Sequence, residues 1–182
     1  MKKVVLFLAE GFEEVEALTP VDVLRRANIE VTTVSICQSK QVEGAHAITV
    51  SADFLFDEIS YSNFDALLLP GGMPGTSNLM THDGLKKVIL DFNAHKKLIG
   101  AICAAPMILG ELGLLAGKKA VCYPGFEKHL KEAIYTKQPV VKDGRYITAS
   151  GIGSAMKFSL VLVEELIDKD TANRLGQKML VQ

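Results

Sequence analysis

The chain has 182 residues, of which 48% are hydrophobic, so it is long enough to bury one sizeable core. Its 20 lysines and arginines against 21 aspartates and glutamates give a net charge of −1, which argues against the basic surface that nucleic-acid binding needs. No run approaches the roughly 20 apolar residues of a membrane-spanning helix. Its three cysteines include no Cys-x-x-Cys pair, which argues against a disulfide framework or a zinc site. We therefore expect one cytoplasmic domain over residues 1–182, with no metal or other cofactor and no membrane partner.

The first part of the chain predicts strands that alternate with helices. Val4–Ala9 is a continuous apolar run, typical of a strand covered on both faces. A helical stretch follows over Glu13–Ala27, in which Thr19-Pro20-x-Asp22 resembles a cap, so we expect Glu13–Leu18 to be a separate turn or a kinked lead-in. The pattern continues with a strand at Glu30–Cys37, a hairpin or small side-sheet around Ala47–Ser51, and a strand at Phe64–Leu69.

The second part repeats this alternation. Leu85, Val88, Ile89 and Phe92 recur at helical spacing, and Leu98–Ile102 is the next strand. The later elements are a helix at Ala104–Leu115, a strand at Ala120–Cys122, a short helix near Phe126–Ala133, a hairpin formed by Val140–Val141 and Tyr146–Ala149, and closing helices at Gly153–Ile167 and Thr171–Leu180. Such alternation predicts an α/β fold with a mostly parallel sheet and helices on both faces. In such sheets the site lies outside the carboxyl ends of the strands.

The most informative strand end places Cys103 directly between a buried strand and a helix, in Gly100-Ala101-Ile102-Cys103-Ala104-Ala105-Pro106. Small neighbours permit the tight, strained turn of a nucleophile elbow. A thiol there lies at the positive end of a helix dipole, which favours the thiolate and lowers its pKa. The alternative is that Cys103 is a small buried hydrophobe, as most free cysteines are. This segment alone leaves both interpretations open.

A second strand end, Pro70-Gly71-Gly72, converges on the same edge. Glycine after a parallel strand lets backbone N–H groups point at a ligand. Together with the N–H of Ala104, this turn is a candidate oxyanion pocket beside Cys103. The alternative is an ordinary turn.

Carboxylates and histidines supply the remaining candidates. Glu13 and Glu14 are expected to be exposed carboxylates at a helix start, where they are common and favourable. Glu16 lies within an apolar stretch and is a candidate for a protonated carboxyl that donates a hydrogen bond to the thiolate. A cysteine hydrolase or amidotransferase needs a histidine beside the thiol. His46, His82 and His95 are expected at the surface, which leaves His129 as the candidate to test.

Together these motifs resemble the DJ-one branch of the ThiJ/PfpI superfamily. The matching segments, in order along the chain, are Gly11-Phe12-Glu13-Glu14-x-Glu16, Pro20-Val21-Asp22-Val23-Leu24-Arg25-Arg26-Ala27, Leu69-Pro70-Gly71-Gly72, Ala101-Ile102-Cys103-Ala104-Ala105-Pro106 and Gly151-x-Gly153. The resemblance covers essentially the whole chain. It implies a flavodoxin-like three-layer sandwich, similar to class I glutamine amidotransferases, that forms a homodimer.

The resemblance also implies roles for individual residues. Cys103 would be the oxidisable nucleophile, and Glu16 the protonated carboxyl that hydrogen-bonds it. The backbone N–H groups of Gly72 and Ala104 would form an anion cradle, and the expected pocket residues are Gly71, Tyr123 and Gly151. Family members are associated with glyoxalase or protein-deglycase activity on α-oxoaldehydes and their adducts, with oxidative-stress sensing, and with chaperone activity. The implied partners are therefore small aldehydes or glycated protein side chains.

Three departures from the family pattern bear on function. Tyr123 stands where the animal branch carries a histidine near the cysteine, and Ser150 stands where the branch carries an arginine. The basic residue of the early hairpin is replaced by Ala45 or His46. We expect a cysteine-dependent enzyme with slow turnover, or alternatively a non-enzymatic oxidative-stress sensor or chaperone that uses the same cysteine. A glutamine amidotransferase or cysteine peptidase is disfavoured because no paired histidine is found at the expected place.

Overall fold

A seven-stranded sheet lies at the centre of the computed structural model, which describes residues 1–181. The strands are β1 (Lys3–Leu8), β2 (Glu30–Ser35), β3 (Gln41–Glu43), β4 (Thr49–Ser51), β5 (Phe54–Leu55), β6 (Ala66–Leu69), β7 (Leu98–Ile102), β8 (Lys119–Ala120), β9 (Ile134–Tyr135), β10 (Val140–Asp143) and β11 (Tyr146–Ala149). The helices are α1 (Glu14–Arg26), α2 (Gly75–Thr81), α3 (Asp83–Ala94), α4 (Pro106–Glu111), α5 (Ala155–Leu166) and α6 (Lys169–Lys178). The sheet order is β10-β11-β7-β6-β1-β2-β5, and every neighbouring pair is parallel except β10 with β11.

Both faces of the sheet are covered, as the continuous apolar run in β1 predicts. Val4, Leu6 and Leu8 pack into one hydrophobic cluster with residues of α1, α5 and α6. Val5 and Phe7, which point the opposite way because side chains alternate along a strand, pack into a second cluster with residues of α2, α3 and α4. This arrangement confirms the predicted three-layer α/β sandwich.

The prediction of a separate lead-in before Pro20 is wrong, because α1 runs without interruption and contains Pro20 in its interior. Proline offers no N–H to the carbonyl four residues earlier, which normally weakens a helix. Here the helix buries Ala17, Val21 and Leu24 in the core cluster that includes α5. The packing of this helix face against the core therefore outweighs the tendency of Pro20 to interrupt the helix.

Other boundaries differ for identifiable reasons. The helix predicted to reach Leu115 ends at Glu111, because Gly113 adopts a positive φ of 72°, the conformation in which glycine ends helices. Of the strand predicted at 120–122 only Ala120 is in a strand, since β8 is Lys119–Ala120 and pairs with β9 outside the central sheet. The short helix near 126–133 is a single 3-10 turn over Glu127–His129. The side-sheet near Ala47–Ser51 is present as the antiparallel pair β3–β4.

The parallel order of the sheet determines where the candidate residues meet. Strands β1, β6, β7 and β11 lie next to one another and share one direction. Their carboxyl ends therefore form one edge, and the segments that follow them lie at that edge. Within residues 1–181, no helix has the length and apolar character needed to cross a membrane.

Candidate active site

Cys103 occupies a strained turn immediately after β7. Its φ of 64° lies in the left-handed region, which is uncommon for a residue with a side chain. Two backbone hydrogen bonds hold this conformation: the N–H of Cys103 donates to the carbonyl of Ala149 at 2.8 Å, and its carbonyl accepts from the N–H of Tyr123 at 2.7 Å. The turn leaves the thiol half-buried at the carboxyl edge of the sheet. The geometry is that of a nucleophile elbow.

Glu16 reaches the same thiol from the first turn of α1. Its side chain is buried, with 1% of the residue exposed, and it shares a hydrogen bond with Cys103. Oε2 also accepts a hydrogen bond from the N–H of Gly71 at 3.0 Å. Oε1 is buried and has no hydrogen-bond partner among the described residues. Oε2 is therefore already hydrogen-bonded within the site, whereas Oε1 is free to accept a hydrogen bond.

The loop after β6 brings backbone N–H groups to the sulfur. Those of Gly72 and Ala104 both hydrogen-bond to the Cys103 thiol group. A Cβ atom on Gly71 would lie 2.5 Å from Glu16 Oε2 and 2.6 Å from Cys103 Cβ. Glycine is therefore required at position 71 for the carboxyl and the thiol to meet.

Burial dominates the electrostatics of this pair. Desolvation, and after it the neighbouring Glu16 carboxyl, raise the pKa of Cys103 to about 12, although the N–H groups of Ala104 and Gly72 act in the opposite direction. The prediction that the helix start lowers the pKa of this thiol is therefore wrong. Helix α4 has only six residues and begins at Pro106, beyond the turn that holds the sulfur.

The pKa of Glu16 moves in the direction that the sequence suggested. Desolvation, with a smaller contribution from the charge of Glu13, raises the pKa of Glu16 to about 7, against the opposing hydrogen bonds from Cys103 and Gly71. Because the two groups share a hydrogen bond, their protons belong to the pair rather than to either residue. The pair loses its first proton near neutral pH.

A cavity of about 580 Å³ opens above the sulfur, and we call it the Cys103 cavity. Its lining consists of Glu13, Glu16, Gly72, Cys103, Tyr123, Pro124, Pro139, Ser150, Gly151, Ile152, Gly153 and Ser154. The Tyr123 ring packs close to Gly151, where a Cβ would lie 3.3 Å from the ring. Of the candidate residues, Gly71 and Ala104 are not part of this lining and contribute backbone N–H groups to Glu16 and to the sulfur.

None of the four histidines lines the Cys103 cavity. His129, the candidate left by the sequence, bonds to Glu111 at 2.9 Å near the end of α4. His82 caps α3 by accepting from the N–H of Leu85, and His95 bonds to the carbonyl of Asp91.

Sequence reasoning missed the position of Glu13 and Glu14, which are 8% and 4% exposed rather than solvated. Glu14 holds the turn between β3 and β4 by accepting from the backbone N–H of His46 at 2.8 Å and bonding its ring Nδ1 at 2.9 Å. The three side chains bring possible metal ligands within 4.8 Å of one another. Their mutual hydrogen bonds account for the arrangement of Glu14 and His46 without a metal. Nothing in the local sequence separates these carboxylates from ordinary exposed ones.

Comparison with known proteins agrees with the fold. The family described as "DJ-1/PfpI family" matches residues 2–165. "Protein DJ-1 homolog B" of Arabidopsis thaliana is 41% identical over 173 residues, which are 94% of this chain but 40% of that longer protein. "Glutathione-independent glyoxalase DJ-1" of Schizosaccharomyces pombe is 32% identical, with 98% of both chains covered. The solved structure "Toxoplasma gondii DJ-1, oxidized" superimposes with a TM-score of 0.95 at 34% identity over 99% of this chain and 98% of that one. The chain therefore belongs to the DJ-1/PfpI family.

Proposed function

We propose that the protein is a cysteine-dependent enzyme that acts on reactive α-oxoaldehydes or their early adducts on protein side chains, in the manner of a glyoxalase or deglycase. The observation that supports this most directly is the hydrogen bond between Glu16 and the Cys103 thiol at the floor of an open cavity. The fission-yeast relative that is named a glutathione-independent glyoxalase supports the choice of chemistry.

The first step is addition of the thiol to the aldehyde carbon. In the reactive form of the pair the proton lies on Glu16 and the negative charge on Sγ, where the N–H groups of Gly72 and Ala104 stabilise it. The sulfur attacks C1 of the α-oxoaldehyde, the carbonyl electrons move to oxygen, and Glu16 gives its proton to that oxygen. A hemithioacetal results. The same N–H groups are placed to stabilise the developing oxyanion.

The second step moves hydrogen from C1 to C2. The ionised Glu16 takes the C1 proton, the electron pair forms an enediolate, and protonation at C2 gives a thioester of the 2-hydroxy acid. Water then attacks the thioester carbon, the carbon–sulfur bond breaks, and the thiol is restored. The net change is the addition of one water to the aldehyde, with no external oxidant. Because no imidazole lines the cavity, we expect slow turnover.

The test is lactate formation from methylglyoxal by the wild type, Cys103→Ala and Glu16→Gln. We expect both variants to lose at least about a hundredfold in kcat/KM, because one lacks the nucleophile and the other lacks the proton carrier. The Cys37→Ala variant is the matched control, since this half-buried cysteine packs on the core away from the cavity and its loss should leave the rate unchanged. Equal rates in all the proteins would remove the proposal.

The second candidate function is a redox sensor that uses the same thiol. The absence of a histidine from the cavity lining favours it, because the anion cradle is retained without an added base. Peroxide would oxidise the thiolate to a sulfenate with release of water, and a second peroxide would give a sulfinate. Intact mass after mild peroxide treatment separates the two functions. A stable two-oxygen adduct confined to Cys103, without aldehyde turnover, supports sensing, and oxidation spread equally over the three cysteines contradicts it.

A further inference from the structure

Glu13 is a second buried carboxylate of the Cys103 cavity that the proposed chemistry does not use. It immediately precedes α1, and its backbone N–H donates to the carbonyl of Gly71 at 2.9 Å, which ties it to the loop beneath the thiol. Its side chain lines the cavity although only 8% of the residue is exposed. The carboxylate therefore lies beside the place where a substrate must lie.

This carboxylate receives no hydrogen bond from the residues that the structure describes. His46 Nδ1 lies 3.5 Å from Glu13 Oε2, but that nitrogen is bonded to Glu14 at 2.9 Å, and its ring lies outside the cavity lining. A carboxylate that faces a cavity without a hydrogen-bond donor of its own is a favourable partner for a ligand that brings an N–H group or a positive charge.

The rest of the lining adds negative charge and no positive charge. Among the described residues that line the cavity there is no lysine, arginine or histidine, whereas Glu16 adds a second carboxyl at its floor. Glu16 Oε1 is a further buried acceptor without a partner. The charge of Glu13 is felt across the site, since it contributes to the raised pKa of Glu16.

We propose that Glu13 makes the Cys103 cavity selective for positively charged substrates, so that α-oxoaldehyde adducts carried on guanidinium or ammonium groups react in preference to aldehydes that bear a carboxylate. The identity of the reacting group rests on the proposed function. The selection by charge is a property of the cavity, and it applies to any reagent that must reach the thiol.

The first experiment therefore measures the thiol and not catalysis. Cys103 is modified with a cationic (2-trimethylammonioethyl) and an anionic (2-sulfonatoethyl) methanethiosulfonate, and each rate is divided by that of free 2-mercaptoethanol with the same reagent. The thiolate attacks the thiosulfonate sulfur, a disulfide forms and methanesulfinate leaves. Peptide mapping follows Cys103 separately from the other two cysteines.

We expect the wild type to prefer the cationic reagent by at least about fivefold, the effect of one unit charge a few ångströms away at a dielectric near that of water. Glu13→Gln should bring the ratio close to one. Glu10→Gln is the matched control, because it removes the same charge from an exposed side chain outside the cavity lining. Should Glu13→Gln fail to fold, the ratio of the two modification rates is measured for the wild type at low and at high salt. Added salt should reduce this ratio by screening the charge.

The second experiment asks whether this selection reaches substrates. The ratio of kcat/KM for phenylglyoxal with a para trimethylammonio group to that with a para carboxylate group is measured for the wild type and for Glu13→Gln. A preference for the cation that disappears in the variant supports the inference. A charge preference of the thiol without turnover of either aldehyde supports the selectivity and removes the proposed enzyme function. Equal normalised thiol reactivity toward both reagents in wild type and variant overturns the inference, whatever the turnover.

Discussion

At the scale of single residues, the raised pKa of Glu16 ties stability to pH. The folded protein holds this proton until about pH 7, whereas an unfolded chain releases it near 4.5. The stability that the proton contributes is therefore complete below about pH 4.5 and is lost as pH rises through 7. We predict that the free energy of unfolding falls between about pH 4.5 and 7, as measured by urea denaturation.

The Glu16→Gln variant isolates this contribution because its side chain does not titrate. Its free energy of unfolding should vary less over the same pH range than that of the wild type. Glu10→Gln, which removes an exposed carboxylate, should keep the wild-type slope. An undiminished slope in Glu16→Gln would show that other groups cause the decline.

The same pair shows what can be predicted for single residues. Cys103 was identifiable because small residues on both sides of a cysteine, between a strand and a helix, indicate an elbow. The direction in which the pKa of Cys103 shifts could not be predicted, because it depends on burial and on a carboxyl that α1 brings from elsewhere in the chain. The burial of Glu13 was hidden for the same reason, since the residues that cover it are distant in sequence.

At the scale of elements, the loop between β6 and α2 sets the distance between carboxyl and thiol. In Gly71→Ala the new Cβ would lie 2.5 Å from Glu16 Oε2 and 2.6 Å from Cys103 Cβ, so at least one of these neighbours must shift. We predict a loss of about 1–3 kcal/mol in the free energy of unfolding, together with loss of the Glu16–Cys103 hydrogen bond. Chemical denaturation checks the first effect, and the pH profile of Cys103 alkylation checks the second.

Gly153→Ala is the matched control for stability. A Cβ at Gly153 meets nothing within 4 Å, and its φ is not in the left-handed region. Its unfolding midpoint should stay close to that of the wild type. If both substitutions destabilise the protein equally, the cause is not the overlap at Gly71.

The elements differ in how far the sequence predicts them. Strands β1, β6 and β7 were clear, because continuous apolar runs are typical of strands buried on both faces. Helix α2 was not predicted, since its polar segment Gly-Thr-Ser-Asn shows no helical periodicity and it is held chiefly by buried Leu79. Local patterns therefore predict the buried centre of the sheet better than the short helices around it.

At the scale of the whole molecule, we expect two copies of the chain to associate through the solvent side of α1. Val15 and Leu18 on this helix are 45% and 39% exposed, and Ile48 is 54% exposed. The backbone of Ile48 hydrogen-bonds to Glu14, so its side chain lies near the start of α1. Such neighbouring apolar side chains are typical of a surface that a partner covers.

Sedimentation velocity tests this homodimer directly. The wild type should sediment as a dimer, and Leu18→Lys should shift it to the monomer, because a lysine in the centre of an apolar interface must lose its hydration. Leu90→Lys is the matched control: Leu90 is 43% exposed, but it lies on α3, which covers the opposite face of the sheet. That variant should remain dimeric. A wild type that stays monomeric at all concentrations, or equal dissociation of both variants, contradicts an interface on α1.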